Sequence, residues 1–151
     1  RFIKNMHKRG FTLIELLVVI SVIGILASIA LVSFGPAQKQ ARDTQRKSDI
    51  RQYQNSLEMY ANKYNGLFVI KETSVDPSTI CLILTGSATG CPTDPKSGTS
   101  PYGYYYQTDA SGSKYVLWAK LENVAKYWVN CSNGKVGTVD TVSVSGGTCP
   151  L

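Results

Sequence analysis

The feature that most constrains this chain is the stretch from Phe11 to Phe34, 24 residues that carry one charge, Glu15. A helix needs about 20 apolar residues to cross the hydrocarbon core of a bilayer, so the stretch is long enough to span. The overall hydrophobic fraction, 43%, is ordinary, but a water-soluble core would not load so much of it onto one terminal run. Arg1, Lys4, Lys8 and Arg9 precede the run and predict a cytoplasmic N-terminus by the positive-inside rule. Lys39, Arg42, Arg46 and Lys47 oppose that rule on the far flank, but the leader comes first and lies closer to the span. The rest of the chain is therefore expected outside. Because the first residue is Arg1, the start of translation is expected at Met6 or upstream. A conventional secretory signal fits less well, since its apolar region is roughly 7–15 residues long. The Ala27-Ser28-Ile29-Ala30 element lies inside the run, and cleavage there would leave the stub Leu31-Val32-Ser33-Phe34.

Glu15 is the anomaly in the run. A carboxylate in lipid usually has a partner and a role. Near the headgroups Glu15 can stay wet, which explains its tolerance but not its presence. Cleavage between Gly10 and Phe11 would create a cationic α-amine at nearly the same depth. The amine of a neighbouring copy could then neutralise Glu15 once both leave the bilayer, and such a buried pair can set register.

From Lys8 to Ala27 the chain reads Lys-Arg-Gly-Phe-Thr-Leu-Ile-Glu-Leu-Leu-Val-Val-Ile-Ser-Val-Ile-Gly-Ile-Leu-Ala. This resembles the N-terminal signature of type IV pilins and type II secretion pseudopilins, over about the first 35 residues. The resemblance implies cleavage after Gly10 by a prepilin peptidase, N-methylation of the new terminal Phe11, and a role for Glu15 in registering subunits. It also implies identical or related pilin subunits as partners in a helical filament, an assembly platform protein, and membrane lipid before assembly. The expected location is the cytoplasmic (inner) membrane as a single-pass precursor, then an extracellular or periplasmic filament. Many family members place a Pro soon after the Ile-Gly-Ile-Leu-Ala stretch, where this chain has Leu31-Val32. Gly35-Pro36 follows instead. Pro removes a helical hydrogen bond and crowds the preceding turn, so the helix bend is expected at Gly35-Pro36, with Gly24 as a second weak point.

Cys81, Cys91, Cys131 and Cys149 all follow the span. An even number beyond a membrane suggests disulfides in an oxidising compartment, while the absence of a CxxC pair argues against zinc. Four cysteines allow three pairings. Cys81–Cys91 and Cys131–Cys149 each close a short loop and are the expected pairs, with the other pairings left open.

The net charge of +6 is unevenly distributed. The first ten residues and the segment Lys39 to Arg51 carry the excess, while Gly66 onward holds six Lys and six acidic residues. A neutral head argues against nucleic-acid binding, which wants a basic patch on the folded domain. The one histidine, His7, lies in the leader, so no nucleophile–base pair built on His exists in the head and no enzyme activity is expected. Asp94, Asp109 and Asp140 could supply oxygen to Ca²⁺, as in some pseudopilins. None lies in a calcium loop, so they read as solvated turn residues, and no metal or cofactor is expected. The cluster Tyr102, Tyr104, Tyr105 and Tyr106 invites a stacking-platform reading. Without basic neighbours it reads instead as sheet packing or filament contact.

Ala37 to Asn65 lacks Gly and Pro and is rich in helix formers. Ile50, Tyr53, Leu57, Tyr60 and Tyr64 fall at spacings of three and four, a stripe that predicts core packing on a sheet, and Gly66 is the expected cap. The turns before Ile50 lack an apolar face and are expected to project as a solvated basic stalk. Leu67 to Pro101 reads as a long loop with a short element at Ile80–Leu84. Four strands are expected at 102–107, 114–120, 126–131 and 136–144, joined by turns at Asp109–Gly112 and Ser132-Asn133-Gly134. The segments from Thr93-Asp94-Pro95 to Lys120-Leu121-Glu122-Asn123 also look, more loosely, like heads of Gram-positive-type and pseudopilin-like members of the family.

The expected fold class is α+β: a long N-terminal helix packed on a C-terminal antiparallel sheet. The expected organisation is a leader, 1–10; a transmembrane assembly helix, 11–35; an amphipathic helix, 36–66; and a globular head, 67–151. The function expected is that of a structural subunit of a type IV pilus-like filament. The alternatives are a pseudopilin of a type II secretion or competence system and, in another class, an adhesive or DNA-uptake pilin.

Overall fold

The computed structural model describes residues 10–87 and 89–151, without the side chains of 31–33. The leader residues 1–9, including Met6, His7, Lys8 and Arg9, lie outside the described residues. The chain divides into two compact units, Arg1–Ala37 and Gln38–Leu151. The elements, in order, are α1 (Leu13–Lys63), a 3-10 turn (Pro77–Ile80), α2 (Cys81–Thr85), β1 (Tyr104–Thr108), β2 (Tyr115–Lys120), β3 (Tyr127–Cys131) and β4 (Val136–Val139). This is the α+β arrangement expected from the periodicities.

In the first unit, the window Leu13–Ala30 has a mean hydropathy of 2.7 and is wholly exposed, a helix long and apolar enough to cross a membrane. The helix assignment of α1 continues through Gly35 and Pro36, so Pro36 sits inside it.

In the second unit, the four strands form one antiparallel meander in the order β1-β2-β3-β4. Ile50, Tyr53, Leu57 and Ala61 of α1 are buried against Tyr104, Tyr106, Tyr115, Leu117 and Ala119 of the sheet. Spacing of three and four on the helix and alternation on the strands bring these two sets face to face. The buried phenols are all satisfied: Tyr53 donates to the Pro92 carbonyl, Tyr104 to Asp49, Tyr106 to the Val69 carbonyl and Tyr115 to Glu58. Tyr64, the last member of the expected stripe, is instead 53% exposed and stacks on Tyr60. Just beyond it the helix stops. Asn65 and Gly66 take φ of 56° and 80°, and the Gly66 N–H donates to the Ala61 carbonyl at 2.8 Å. Such left-handed residues close a helix at little cost when one is Gly.

Two expectations are corrected. The turns before Ile50 are only in part a solvated stalk: residues 37–41 are exposed, but Arg46 is 0% exposed and Asp43 3% exposed. A helix face needs apolar residues to be buried only if its charges go unpaired, and these are paired. The last strand ends at Val139 rather than Val144. Residues beyond it leave the ladder, and Val142, Val144 and Cys149 pack onto the sheet face turned away from α1.

Candidate functional site

The first turn of α1 holds Glu15 in place through its own backbone. Thr12 precedes the helix, and its N–H and hydroxyl both donate to Glu15 Oε2, at 2.8 and 2.7 Å. The Glu15 N–H in turn donates to Thr12 Oγ1 at 3.3 Å. This is a capping box, in which two donors that the helix cannot satisfy internally are satisfied reciprocally. It supplies a local reason for a carboxylate at this position, reinforced by the positive end of the helix dipole. The Thr-x-x-Glu spacing before an apolar run was the signal for it in the sequence. Gly10 and Phe11 are exposed and lie just outside the helix. Gly24 and Gly35 lie inside α1, and among the described residues a Cβ at either would meet nothing within 4 Å.

The cysteines pair as Cys81–Cys91 and Cys131–Cys149, with Cα separations of 6.1 and 5.7 Å. The first bridge closes the loop around α2. The second fastens the C-terminal segment to β3.

The head also contains a buried charge cluster that sequence reasoning missed. Arg46 donates to Asp94 through Nε at 2.7 Å and Nη2 at 2.9 Å. Its Nη1 donates to Asp43 at 2.9 Å and to Glu122 at 2.8 Å. Glu122 accepts two further bonds of 2.7 Å from Arg42 and pairs with Lys96 at 2.8 Å. Asp43 accepts from the backbone N–H groups of Glu122 and Asn123, both at 2.8 Å. Three cations meet three carboxylates, so the cluster is neutral. It binds the helix to the loop after α2 and to the turn between β2 and β3. Hydrogen bonds from Arg42, opposed by burial and supported by Lys96 and Arg46, hold the Glu122 carboxyl well below the usual carboxylate range. Burial works against the charged Arg46, yet its bonds to Asp94 and Glu122 hold it above the ordinary guanidinium value. The Asp43/Arg46 pair at i,i+3 was legible; the loop partners were not.

The three aspartates considered for Ca²⁺ are dispersed. Asp94 serves Arg46, Asp140 pairs with Lys126 at 3.2 Å, and Asp109 accepts from the hydroxyls of Ser111 and Ser113. Among the described residues no group of three or more His, Cys, Asp or Glu could hold a metal ion. The tyrosine cluster is also split. Tyr104 and Tyr106 are in the core, and Tyr105 stacks on Trp118 on the opposite face. Tyr102, contrary to expectation, has basic neighbours: Arg46 and Lys96 lie 4.9 and 4.8 Å from its ring centre.

Comparison with known proteins bears on the N-terminal segment. Residues 5–31 match the prokaryotic N-terminal methylation motif. The chain is 43% identical over 47 residues to the type IV major pilin protein PilA of Myxococcus xanthus, which covers 31% of this chain and 21% of that protein. It is 42% identical over 53 residues to the type II secretion system core protein G of Escherichia coli, which covers 35% of this chain and 37% of that protein. The chain thus spans well under half the length of the curated relatives it matches. No solved structure matches it. The exposed apolar helix together with this motif fits a membrane-anchored precursor, and over its N-terminal segment the chain is similar to a type IV pilin and to a type II secretion core protein.

Proposed function

We propose that this chain is a structural subunit of a type IV pilus-like filament. The observation that carries the reading is the methylation motif over residues 5–31 joined to an apolar helix with one carboxylate in its first turn. The precursor sits in the inner membrane with its N-terminus inside and its head outside. A prepilin peptidase cleaves after Gly10, the leader 1–10 is lost, and Phe11 becomes the methylated N-terminus. Segment 11–35 then moves from lipid into a filament core, with an assembly platform protein driving the transfer. Contacts that repeat without closing generate an open filament.

In this mechanism Glu15 changes partners. In the uncleaved chain its carboxylate is held by Thr12. After cleavage the Phe11 amine of a neighbouring subunit competes for it, and the charge match fixes register. Gly35 and Pro36 lie next to the boundary between the two compact units and serve as the bend, with Gly24 as a second adjustable point. The amphipathic helix 36–66 and the head 67–151 form the outer part of each subunit.

The test is Glu15→Ala in cells that assemble the wild-type filament. Membrane insertion is expected to be unchanged and filament yield to fall severely. Normal yield would sink the register role. The similarity to secretion protein G favours a second reading, a short secretion pseudopilus. Imaging with an antibody against the head, beside a secretion assay, separates them: long surface filaments mark a pilus, and lost export without surface filaments marks a pseudopilus.

A further inference from the structure

The sheet has a second face, turned away from α1. The antiparallel register puts Tyr105, Trp118 and Val129 in one row across the strands and Lys120, Tyr127 and Val139 in the next. Alternation along each strand sends their neighbours Tyr104, Tyr106, Leu117 and Ala119 into the core under α1. Most of this second face is covered by the C-terminal segment, held by the Cys131–Cys149 bridge. The cover stops at Val142. Beyond it lies a cleft of about 310 Å³.

Tyr105, Trp118 and Tyr127 line the cleft, with Pro101, Ser74 and Thr141 around them. Tyr105 and Trp118 stack with ring centres 5.5 Å apart and planes 16° from parallel. Among the described residues, the hydroxyls of Ser74, Tyr127 and Thr141 make no hydrogen bond within the chain. Among the described residues, no charged side chain lines the cleft. The nearby Lys120 ammonium is already engaged, over the Tyr127 ring and with the Ala125 carbonyl.

We propose that this cleft is a saccharide-binding subsite. A sugar ring has an apolar face of C–H groups and a rim of hydroxyls. It therefore suits a site that offers aromatic surface for stacking and free hydroxyls for hydrogen bonds. A nucleic acid or an acidic peptide finds no free cation here, and a basic peptide finds no carboxylate. The volume stands at the small end of the roughly 300–1,000 Å³ of ligand sites, enough for one or two sugar rings.

The test uses the full chain in sugar-free lauryldimethylamine oxide micelles. The chain has two tryptophans, and Trp128 lies elsewhere, beside Lys47. A Trp128→Phe background therefore makes Trp118 emission a reporter of the cleft. Cellobiose, maltose, lactose and chitobiose are titrated in turn, beside a proline decamer and an oligothymidylate. The expected result is a saturable change in Trp118 emission with at least one disaccharide. Binding should weaken about tenfold in Tyr127→Ala, as for the loss of one aromatic contact, and severalfold in Ser74→Ala and Thr141→Val. The last two are exposed rim positions whose substitution leaves the core untouched, so they keep the test valid if Tyr127→Ala misfolds. A response to none of the disaccharides overturns the proposal. So does a sugar response that the rim variants leave unaltered, or saturation by the decamer or the oligonucleotide instead.

Discussion

Arg46 and Asp94 are joined by two parallel bonds, Nε to Oδ2 at 2.7 Å and Nη2 to Oδ1 at 2.9 Å, with both side chains wholly buried. A guanidinium forks onto a carboxylate in this way with geometric as well as energetic specificity. Here the fork fixes a loop to a helix face that contributes no apolar surface of its own.

Removing one member should therefore cost more than an ordinary surface substitution. Arg46→Met leaves Asp94 and Asp43 buried without their main cation, and breaking a buried pair in this way costs about 3–5 kcal/mol. Urea unfolding of the full chain in micelles, followed by tryptophan emission, measures it. Arg42→Gln should cost less, because Arg42 is partly exposed and Glu122 keeps Arg46 and Lys96.

The same cluster predicts the acid response. The folded Glu122 carboxyl is depressed by its bonds to Arg42, Lys96 and Arg46. Its contribution is thus fully present above the unfolded value of about 4.3. It is lost as pH falls below that value towards the lower folded one, since protons then favour the unfolded chain. Unfolding midpoints measured from pH 7 downward should fall in that window, and Glu122→Gln should flatten the slope.

At the other end of the pH scale the tyrosines act. Burial raises the phenols of Tyr53, Tyr104, Tyr106 and Tyr115. A raised folded value gives stability that is complete below the unfolded value of about 10 and declines as pH rises past it. Ultraviolet titration should show these phenols ionising together with unfolding, ahead of their intrinsic folded values.

The capping box predicts a local effect. Thr12→Ala removes the hydroxyl that accepts from the Glu15 N–H and should weaken the helix start by about 1 kcal/mol. Faster amide hydrogen exchange at residues 13–16 in micelles, with exchange in the head unchanged, is the expected outcome.

The second disulfide holds the cover of the outer sheet face. Cys131→Ala with Cys149→Ala opens a loop with a sequence separation of 18, and bridges over loops of that order contribute about 3 kcal/mol. The paired variant should lose stability on that scale in the urea experiment. Trp118 emission should shift to the red as Val142 and Val144 lift away.

The features legible from the residues alone are local in origin. The apolar run followed from composition over consecutive residues. The helix stripe at Ile50, Tyr53 and Leu57 and the four-strand meander followed from periods of 3.6 and 2 between turn residues. The capping box is equally local in Thr12-Leu13-Ile14-Glu15, where one carboxylate is at once a charge in an apolar run and the start of a helix. Tertiary structure alone decided the rest. Arg46 finds its partners 48 and 76 residues away, so no local pattern could show that a charged helix face would be buried. Val142 and Val144 fit an extension of β4 by alternation, yet they cover the sheet instead. The outer face of β2 and β3 is apolar and could not remain exposed, and the Cys131–Cys149 bridge holds the segment over it. The aromatic cleft is what that cover leaves open, and its existence depends on where the chain stops packing rather than on any motif.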